Sequence, residues 1–443
     1  MKRIVSTLLL LTILTGWASA QSRGSYFFEN SLLRSKLNPA FAPKTNYATP
    51  PILGNLSFDA ASNIGLRNFI YPQDENNVLF LNDNVPAETF LSQLPRKDPY
   101  VRERLESDLF GAGMRIGQDG YATLAISLVE YGSVSLSNDL LRFLKTGSAG
   151  TSADVFGGGS LRMAAYAAIS AGYSHDLHAL VEGLRAGVRL KILTGVAAAD
   201  LRIDQIGLKF GEEQLSASIR GNGSLSGIGY DPEGGFSFKG ISPLSIGAAI
   251  DLGASYQLPL EGRVESLELS ASVCDLGAIR YRNSSTALGI DNSFSFTGFH
   301  HIIGGLDEEI DQMIDDIGGL THINISEKEH FRYALSPSIH IGATARMFHD
   351  KLNAGLLYYH AVGSSNLMAA CGYSPLDWIN LGVNWTFLGP ANRLGFYVEC
   401  IPVKYAGFFF GMERASWRRN SYHLPVRNAT DSFSFGINIL FGK

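Results

Sequence analysis

The chain has 443 residues, a formal net charge of −5 and only 17% charged residues, whereas 48 residues are glycine and 11% are aromatic. This glycine-rich, weakly charged composition indicates an all-β protein, because average domains carry ~25% charged residues and ~7% glycine. The negative net charge argues against a nucleic-acid partner. The 45% of hydrophobic residues excludes a disordered chain.

The N-terminus has the three parts of an export signal. Two basic residues are followed by an apolar stretch over 4–14 and by the small residues Ala18-Ser19-Ala20, a cleavage site of the A-x-A type. The apolar stretch is shorter than the ~20 residues that a membrane-spanning helix needs. We therefore predict a signal peptide over residues 1–20, cleaved between Ala20 and Gln21.

The segment after the signal does not alternate between apolar and polar residues. It contains Asn38-Pro39-Ala40-Phe41-Ala42-Pro43, and proline at this density does not suit a central strand. We predict that residues 21–50 form a hatch, or plug, inside a barrel built from residues 51–443, with Asn38, Pro39 and Ala40 as its motif.

Three short segments carry helical signals. Asp98-Pro99 is a start signal for a helix that we predict through about Glu106, and a second helix is predicted over 137–145. In the third, over 306–317, the apolar residues share one helical face and acidic residues surround them. We place these helices in loops at the ends of the barrel.

Most of the chain alternates with a period of two, which is typical of β-strands. The last strand shows it best, because five apolar residues alternate with small or polar ones, namely Phe433, Phe435, Ile437, Ile439 and Phe441. Strands of about 9–12 residues with aromatic residues near their ends suit a tilted strand that crosses lipid. We predict an all-β fold, a transmembrane antiparallel β-barrel of about 14 strands. A soluble secreted β-protein, whose strands also alternate, is the alternative.

If the apolar faces contact lipid, the opposite faces line the lumen. The polar side chains on those faces are Arg189, Lys191, Asp251, Glu268, His340, Arg346, Asn384, Glu399 and Asn438. They either contact a ligand or pair with one another, and we favour pairing because the interior of a small barrel is filled by side chains.

Sequence motifs for catalysis and cofactors are incomplete. Gly111-Ala112-Gly113 lacks the third glycine of a dinucleotide fingerprint, because Ile116 stands in its place. In the segment 223–227, Leu225 occupies the position of the serine in a nucleophile elbow. Two pairs of histidines, His175 with His178 and His300 with His301, have no further Cys or carboxylate at the spacing of a zinc site. We expect no enzymatic activity, no cofactor and no metal.

Four segments carry a resemblance to a known family. They are Leu37-Asn38-Pro39-Ala40-Phe41, the strand over 183–191, Asp251-Leu252-Gly253 and Asp275-Leu276-Gly277. Together they resemble an uncharacterised family of outer-membrane barrels from Bacteroidota. That family is similar to the long-chain fatty-acid transporter superfamily and to barrels accessory to type IX secretion. The resemblance implies a barrel of roughly 14 strands with an N-terminal hatch.

Two functions follow from these expectations, both in the outer membrane with its lipid as a partner. The first is passive transport or binding of a hydrophobic or amphipathic small molecule in the lumen. The second is a structural barrel that acts as a scaffold for a protein partner in a secretion or cell-envelope complex.

Overall fold

The computed structural model describes residues 23–51, 54–73, 76–147, 154–210, 215–231, 235–238, 245–296, 324–401, 406–414 and 431–441. The predicted cleavage site between Ala20 and Gln21 and the predicted helix over 306–317 lie outside the described residues.

The strands are numbered in chain order. The first eleven are β1 Asn46–Thr49, β2 Asn55–Ser62, β3 Ile70–Gln73, β4 Asn76–Leu79, β5 Tyr100–Ile116, β6 Gly120–Leu136, β7 Asp154–Phe156, β8 Gly159–Asp176, β9 Leu184–Phe210, β10 Leu215–Ser226 and β11 Ile228–Asp231. The others are β12 Gly235–Phe238, β13 Ile246–Pro259, β14 Val264–Phe296, β15 Asn324–Ala334, β16 Ser338–Met347, β17 Leu352–Ala361, β18 Ser364–Leu376, β19 Ile379–Phe387, β20 Arg393–Cys400, β21 Ala406–Arg414 and β22 Asp431–Phe441. The helices are α1 Arg34–Leu37, α2 Ala87–Gln93 and α3 Asn138–Thr146, and two 3₁₀ turns cover Arg23–Phe27 and Leu66–Asn68.

The strands form a closed antiparallel barrel with 14 positions in its wall. Four positions are built from two strands in line, namely β1 with β2, β7 with β8, β10 with β13, and β15 with β16. The last strand, β22, closes the wall by pairing with β1 and β2. Closure leaves the wall without a free edge. The predicted barrel and its strand number are confirmed.

The two faces of the wall differ in polarity. On β9, Val188, Leu190 and Ile192 are exposed on the outside, whereas Arg189 is buried inside. The strand β22 repeats the pattern, with exposed Ile437 and Ile439 flanking buried Asn438 in the sequence. Backbone groups are paired along the ladders, and the apolar side chains face outward. This is the polarity of a barrel that crosses lipid.

The two ends of the barrel carry connections of different length. Short turns over 117–119, 177–183, 260–263 and 348–351 lie at one end, together with the start of β1 and the end of β22. We call this end the turn rim. The longer connections, such as 63–99, lie at the opposite end, which we call the loop rim.

One helix prediction is correct and one is wrong. The helix predicted over 137–145 is α3, where the Ser137 hydroxyl accepts hydrogen bonds from the backbone N–H groups of Asp139 and Leu140, both at 3.1 Å. The helix predicted from Asp98 to Glu106 is instead the first part of β5, which pairs with β2 and β6. Its ladder hydrogen bonds outweigh the local capping signal. Among the described helices, none is long and apolar enough to cross a membrane.

The end of the predicted hatch belongs to the wall. Residues 23–41 lie inside the barrel, but β1, which falls within the predicted hatch over 21–50, pairs with β22 and β5. The proline-free stretch over 44–49 meets the backbone requirement of a strand. The segment inside the barrel, residues 23–41, is hereafter the lumenal segment.

Candidate functional site

The lumenal segment is buried along almost its whole length. Its buried side chains include both charged and apolar groups, namely Arg23, Tyr26, Phe27, Phe28, Ser31, Leu32, Arg34, Ser35, Leu37, Asn38, Ala40 and Phe41. A segment so enclosed must have its polar groups paired, because an unpaired buried polar group costs about 1–3 kcal/mol. The wall supplies those partners.

Aromatic rings of the lumenal segment pack against glycines of the wall. The Tyr26 ring lies over Gly342, Phe27 lies over Gly355, and Phe28 lies between Gly372 and Gly382. A Cβ added at Gly355 would come within 2.6 Å of the Phe27 ring. The Tyr26 hydroxyl also bonds the Ser270 hydroxyl at 2.7 Å. The glycine-rich inner face seen in the sequence therefore makes room for these rings.

The Asn38-Pro39-Ala40 motif fixes the turn after α1. The Asn38 amide donates to the carbonyl oxygens of Ala254 and Ala271 at 3.1 and 3.2 Å, and its side-chain oxygen accepts from the Ala40 N–H at 2.9 Å. Asn38 is fully buried. The motif thus joins the lumenal segment to two neighbouring strands, β13 and β14, at one point.

A cluster of ion pairs holds the middle of the lumenal segment. Glu268 lies between two arginines, Arg34 of the lumenal segment and Arg346 of β16, with the Arg346 contact at 2.6 Å. Arg346 also contacts Glu29 at 3.0 Å, and Lys44 contacts Glu29 at 2.9 Å. Burial opposes ionisation of Glu29, but Arg346 and Lys44 outweigh burial and hold its pKa below the ordinary value. Two of the predicted lumenal residues, Glu268 and Arg346, therefore bind the lumenal segment.

Arg189 and Glu399 contact the backbone of the lumenal segment. Arg189 donates to the Ser35 carbonyl oxygen at 2.6 Å. On the opposite side of the barrel, Glu399 accepts from the Leu32 N–H at 3.3 Å. Because these contacts involve backbone groups, they fix the path of the chain.

A chain of alternating charges crosses the lumen next to the lumenal segment. It contains four cations and four carboxylates, in the order Arg189, Asp251, Lys191, Asp275, Arg104, Glu106, Lys36 and Asp108, with successive N–O distances of 2.6–3.2 Å. The charges in this set balance. Buried charges are stable only when they are paired in this way. The eight charged side chains connect four wall strands, β5, β9, β13 and β14, to Lys36 of the lumenal segment.

Asp275 has an unusual backbone conformation within this chain of charges. Its φ of 62° lies in the left-handed region, and the ladder between β13 and β14 shifts register at the same level. The Asp275 N–H donates to Asp251 Oδ1 at 2.8 Å. The bulge costs backbone strain, but it turns the Asp275 carboxylate inward between Lys191 and Arg104.

The remaining predicted lumenal residues are also buried. His340 contacts the Ser272 hydroxyl at 3.5 Å, and Asn438 accepts from the Thr49 hydroxyl at 2.8 Å. Asn384 is buried, and neither its side-chain oxygen nor its nitrogen has a hydrogen-bond partner.

Several residues of the chain of charges were not identified in the sequence analysis. The segment that leads into Arg104, Glu106 and Asp108 was predicted to be helical, so these residues were not assigned to a strand. Their spacing of two residues is nevertheless the pattern of one face of a strand. Lys36 belongs to the segment without alternation, which carried no such signal. Asp275 lies at a bulge, where the period of two is interrupted.

A cavity of about 90 Å³ lies between the lumenal segment and the loop rim. Its polar lining includes Lys36, Arg104 and Lys191, and its apolar lining comes from residues on three strands and a turn, namely Val129, Tyr131, Tyr166, Ala361 and Val362. Further inward-facing aromatic residues continue towards the loop rim, where the Tyr281 and Phe331 rings stack with centroids 5.2 Å apart. The space therefore has a charged side and an aromatic side.

This arrangement combines charged and apolar contact surface. Glu106, Asp108 and Asp275 also line this space, so carboxylates and cations lie side by side next to its aromatic surface. Within the described parts of the chain, no group of three or more His, Cys, Asp or Glu side chains could hold a metal ion.

The sequence matches a family described as a family of unknown function, DUF5723, over residues 39–409. No curated protein matches the sequence. Among solved structures, the chain is similar to a FadL homologue from Pseudomonas aeruginosa, with 12% identity, 96% of each chain covered and a TM-score of 0.39. It is also similar to the toluene transporter TodX from Pseudomonas putida, with 9% identity, 96% of each chain covered and a TM-score of 0.32. The expected resemblance to an uncharacterised family is confirmed by the family match, whereas an origin in Bacteroidota stays a prediction.

Proposed function

The chain belongs to DUF5723, a family of unknown function, and on that premise we propose that it is an outer-membrane β-barrel that binds and passively admits a hydrophobic or amphipathic small molecule. The observation that carries the proposal is the cavity that has the chain of charges on one side and the aromatic residues Tyr131 and Tyr166 on the other. The lumenal segment acts as the hatch below this site.

The polarity of the wall supports the membrane location. Leu190 and Ile192 are 60% and 61% exposed on the outside of β9, a position that water would disfavour and hydrocarbon would favour. Outer-membrane barrels have short periplasmic turns and longer extracellular loops. The turn rim therefore faces the periplasm, and the loop rim faces outward.

The two sides of the cavity support an amphipathic ligand. Tyr131, Tyr166 and Val129 provide apolar contact area, whereas Arg104 and Lys191 lie on the polar side. Each of these cations is already paired with a carboxylate. An anionic head group therefore competes with Asp275, and a neutral polar head group accepts hydrogen bonds without breaking a pair.

The size of the cavity supports a moving hatch. A volume of about 90 Å³ is small beside the ~300–1,000 Å³ of typical small-molecule pockets. A molecule with an alkyl chain needs more space, so the lumenal segment moves before such a molecule passes. Its described contacts are hydrogen bonds, ion pairs and ring packing, all of which exchange without covalent change.

The test is uptake of a fluorescent dodecanoic-acid analogue by proteoliposomes that contain the full mature chain. Cys274 lies beside the lumenal segment, because its thiol is 3.6 Å from the Leu37 carbonyl oxygen, and the loss of free thiol on oxidation shows whether the disulfide of the next variant has formed. We expect Leu37→Cys to form a disulfide with Cys274, to block uptake when oxidised and to restore uptake when reduced. Leu37→Ser is the matched control without a second thiol. If the wild-type barrel folds but admits no probe, or if the locked variant admits it equally, the transport proposal is wrong.

The second candidate function is a scaffold for a protein partner. The balanced charges and the deep burial of the lumenal segment favour it, because both describe a filled, rigid interior. Isolation of the barrel from its native membrane in a mild detergent separates the two functions. A stoichiometric partner protein supports the scaffold, whereas a co-purified amphipathic molecule supports the carrier.

A further inference from the structure

A basic cluster lies on the outside of the barrel wall, where most exposed side chains are apolar. Arg280 of β14 and Arg332 of β15 lie directly opposite each other across the ladder, and both are exposed. His330, also exposed, has its Nε2 atom 3.1 Å from an Arg280 guanidinium nitrogen. The three side chains form one outward patch, which we call the outer basic cluster.

The outer basic cluster lies at the edge of the apolar band. Ile246 pairs with Arg280 from the other side, on β13. The outward apolar residues of β13 run from Leu258 near the turn rim to Ile246, which is 57% exposed. At ~3.3 Å per residue and a tilt of ~45°, this distance corresponds to a height of about 28 Å. The hydrocarbon layer of a bilayer has about the same thickness, ~30 Å, so the cluster lies at the level of the lipid head groups on the loop-rim side of the membrane.

A shallow groove leads from the cluster into the apolar band. Its floor is made of small or apolar residues, Ile246, Ala248, Gly277 and Ala278, and its upper end is formed by the outer basic cluster. Ala248 and Ala278 lie directly opposite each other across the ladder, and each carries only a methyl group. The floor is therefore low and apolar, and an alkyl chain can lie on it.

The electrostatics of the cluster are unbalanced. Like charges directly opposite each other on neighbouring strands destabilise the pairing. In the described part of the chain, neither Arg280 nor Arg332 lies within 4 Å of a carboxylate, although other outward arginines, such as Arg220 beside Asp291, do. An anion between Arg280 and Arg332 would remove the repulsion, and arginine matches the geometry of a phosphate group.

We propose that this groove binds one lipid of the outer leaflet whose phosphate-bearing head group has a net negative charge. Its phosphate contacts Arg280 and Arg332, and one acyl chain lies on the floor beside Ala248 and Ala278. Charged groups at a membrane surface attract anionic lipid heads, and the apolar floor adds contact area that a free anion cannot use. The inference depends on the proposed membrane location and is independent of transport.

The test is native mass spectrometry of the full mature barrel in a non-ionic detergent. Dioleoyl phosphatidic acid, dioleoyl phosphatidylcholine and inorganic phosphate are added in separate titrations. We expect phosphatidic acid to bind at least about tenfold more tightly than phosphatidylcholine, and the double variant Arg280→Gln/Arg332→Gln to lose that preference. The matched control is Arg202→Gln/Arg220→Gln, which removes the same charge from two exposed arginines outside the groove. It should keep the preference.

A second variant separates a lipid site from an anion site. Ala248→Trp fills the groove floor and leaves the charge unchanged, so it should weaken phosphatidic acid binding and leave any binding of inorganic phosphate unchanged. Full displacement of the lipid by millimolar inorganic phosphate would overturn the lipid assignment, as would equal losses in the two double variants. Heat-modifiable gel migration checks that each variant is a closed barrel. A barrel that does not enter membranes at all overturns the proposed function, whereas normal insertion without a lipid preference overturns only this inference.

Discussion

Gly187 on β9 and Gly253 on β13 lie directly opposite each other across the ladder, and Asn38-Pro39 of the lumenal segment rests on this pair. A Cβ at Gly187 would overlap the Pro39 carbonyl oxygen, and a Cβ at Gly253 would overlap the Asn38 side chain. Neither glycine has a positive φ, so the requirement is for space. Two separate sequence motifs, Asn38-Pro39-Ala40 and Asp251-Leu252-Gly253, are thus two sides of one contact.

The first prediction concerns this contact. Gly187→Ala should displace the lumenal segment, because the overlapping atom is a backbone oxygen that cannot rotate away. Overpacking of this kind costs about 1–3 kcal/mol. Hydrogen–deuterium exchange of the amides in 34–41 should speed up accordingly, while exchange in the wall strands stays unchanged.

Gly289→Ala provides the control, because Gly289 also lies in a long strand and a Cβ there meets nothing within 4 Å. Its exchange pattern should match that of the wild type. Equal protection of 34–41 in both variants would show that the lumenal segment does not depend on the glycine pair.

The second prediction concerns the shared carboxylate Glu268. Glu268→Gln removes the charge that lies between Arg34 and Arg346, and it leaves two buried guanidinium groups with less compensation. Breaking a buried pair in this way costs about 3–5 kcal/mol. The midpoint of unfolding in guanidinium chloride, followed by the loss of heat-modifiable migration, should fall.

Glu261→Gln is the matched change at an exposed position in the 260–263 turn. It should shift the unfolding midpoint little, because exposed charges contribute ~0–1 kcal/mol. A similar midpoint for both variants would mean that the Glu268 pairs do not stabilise the folded barrel.

The third prediction is a pH dependence from Glu29. Its pKa is held below the ordinary value of 4.5, so its ion pairs stabilise the seated segment above pH ~4.5 and this stabilisation is lost as the pH falls through the lowered pKa. Conductance in planar bilayers should therefore rise in acid for the wild-type barrel. Glu29→Gln should show the raised conductance already at pH 7.

The exposed Glu182 in the 177–183 turn provides the comparison. Glu182→Gln should keep the wild-type pH profile. Equal conductance of the wild type and Glu29→Gln at pH 7 would contradict a role for Glu29 in holding the segment.

The fourth prediction concerns the cavity. Val129 lines it, whereas Leu128, the preceding residue of β6, is 44% exposed on the outside of the wall. Val129→Trp should fill the cavity and lower uptake of the dodecanoic-acid analogue by at least about tenfold. Leu128→Trp adds the same indole to the outer surface and should leave uptake unchanged. Equal uptake by both variants would place the ligand elsewhere.

The wall could be predicted from the sequence because lipid and lumen impose opposite polarities on alternate residues. The alternation in β9, with Val188, Leu190 and Ile192 outside, and in β22 gave both the faces and the approximate strand number. The first part of β5 was not predicted as a strand, because Asp98-Pro99 is a start signal for a helix. In the structure, Asp98 accepts a hydrogen bond at 3.0 Å from the Asn138 N–H at the start of α3, so the signal was real but belonged to another helix.

The site was only partly predictable for a different reason. Alternation identified inward residues such as Arg189 and Asp251, but the partner of each depends on strand register, which bulges change. Asp275 illustrates this, because its left-handed backbone turns the carboxylate towards Lys191 and Arg104. The position of Lys36 depends on the path of a segment without periodic structure, and no local pattern encodes that path.

The central claim is that the outward side chains contact hydrocarbon and the inward ones do not. The direct measurement is fluorescence quenching by lipids brominated on their acyl chains, with the barrel reconstituted in vesicles. Trp385 is 53% exposed on the outside of β19, and the other two tryptophans that follow the predicted signal peptide, Trp378 and Trp417, can be replaced by phenylalanine. The account predicts strong quenching of Trp385. A second barrel has all its native tryptophans replaced and carries Tyr131→Trp on the lumenal side. The account predicts no quenching of this indole. Equal quenching of the two indoles, or a polypeptide that stays folded and dispersed in buffer without detergent, would contradict it.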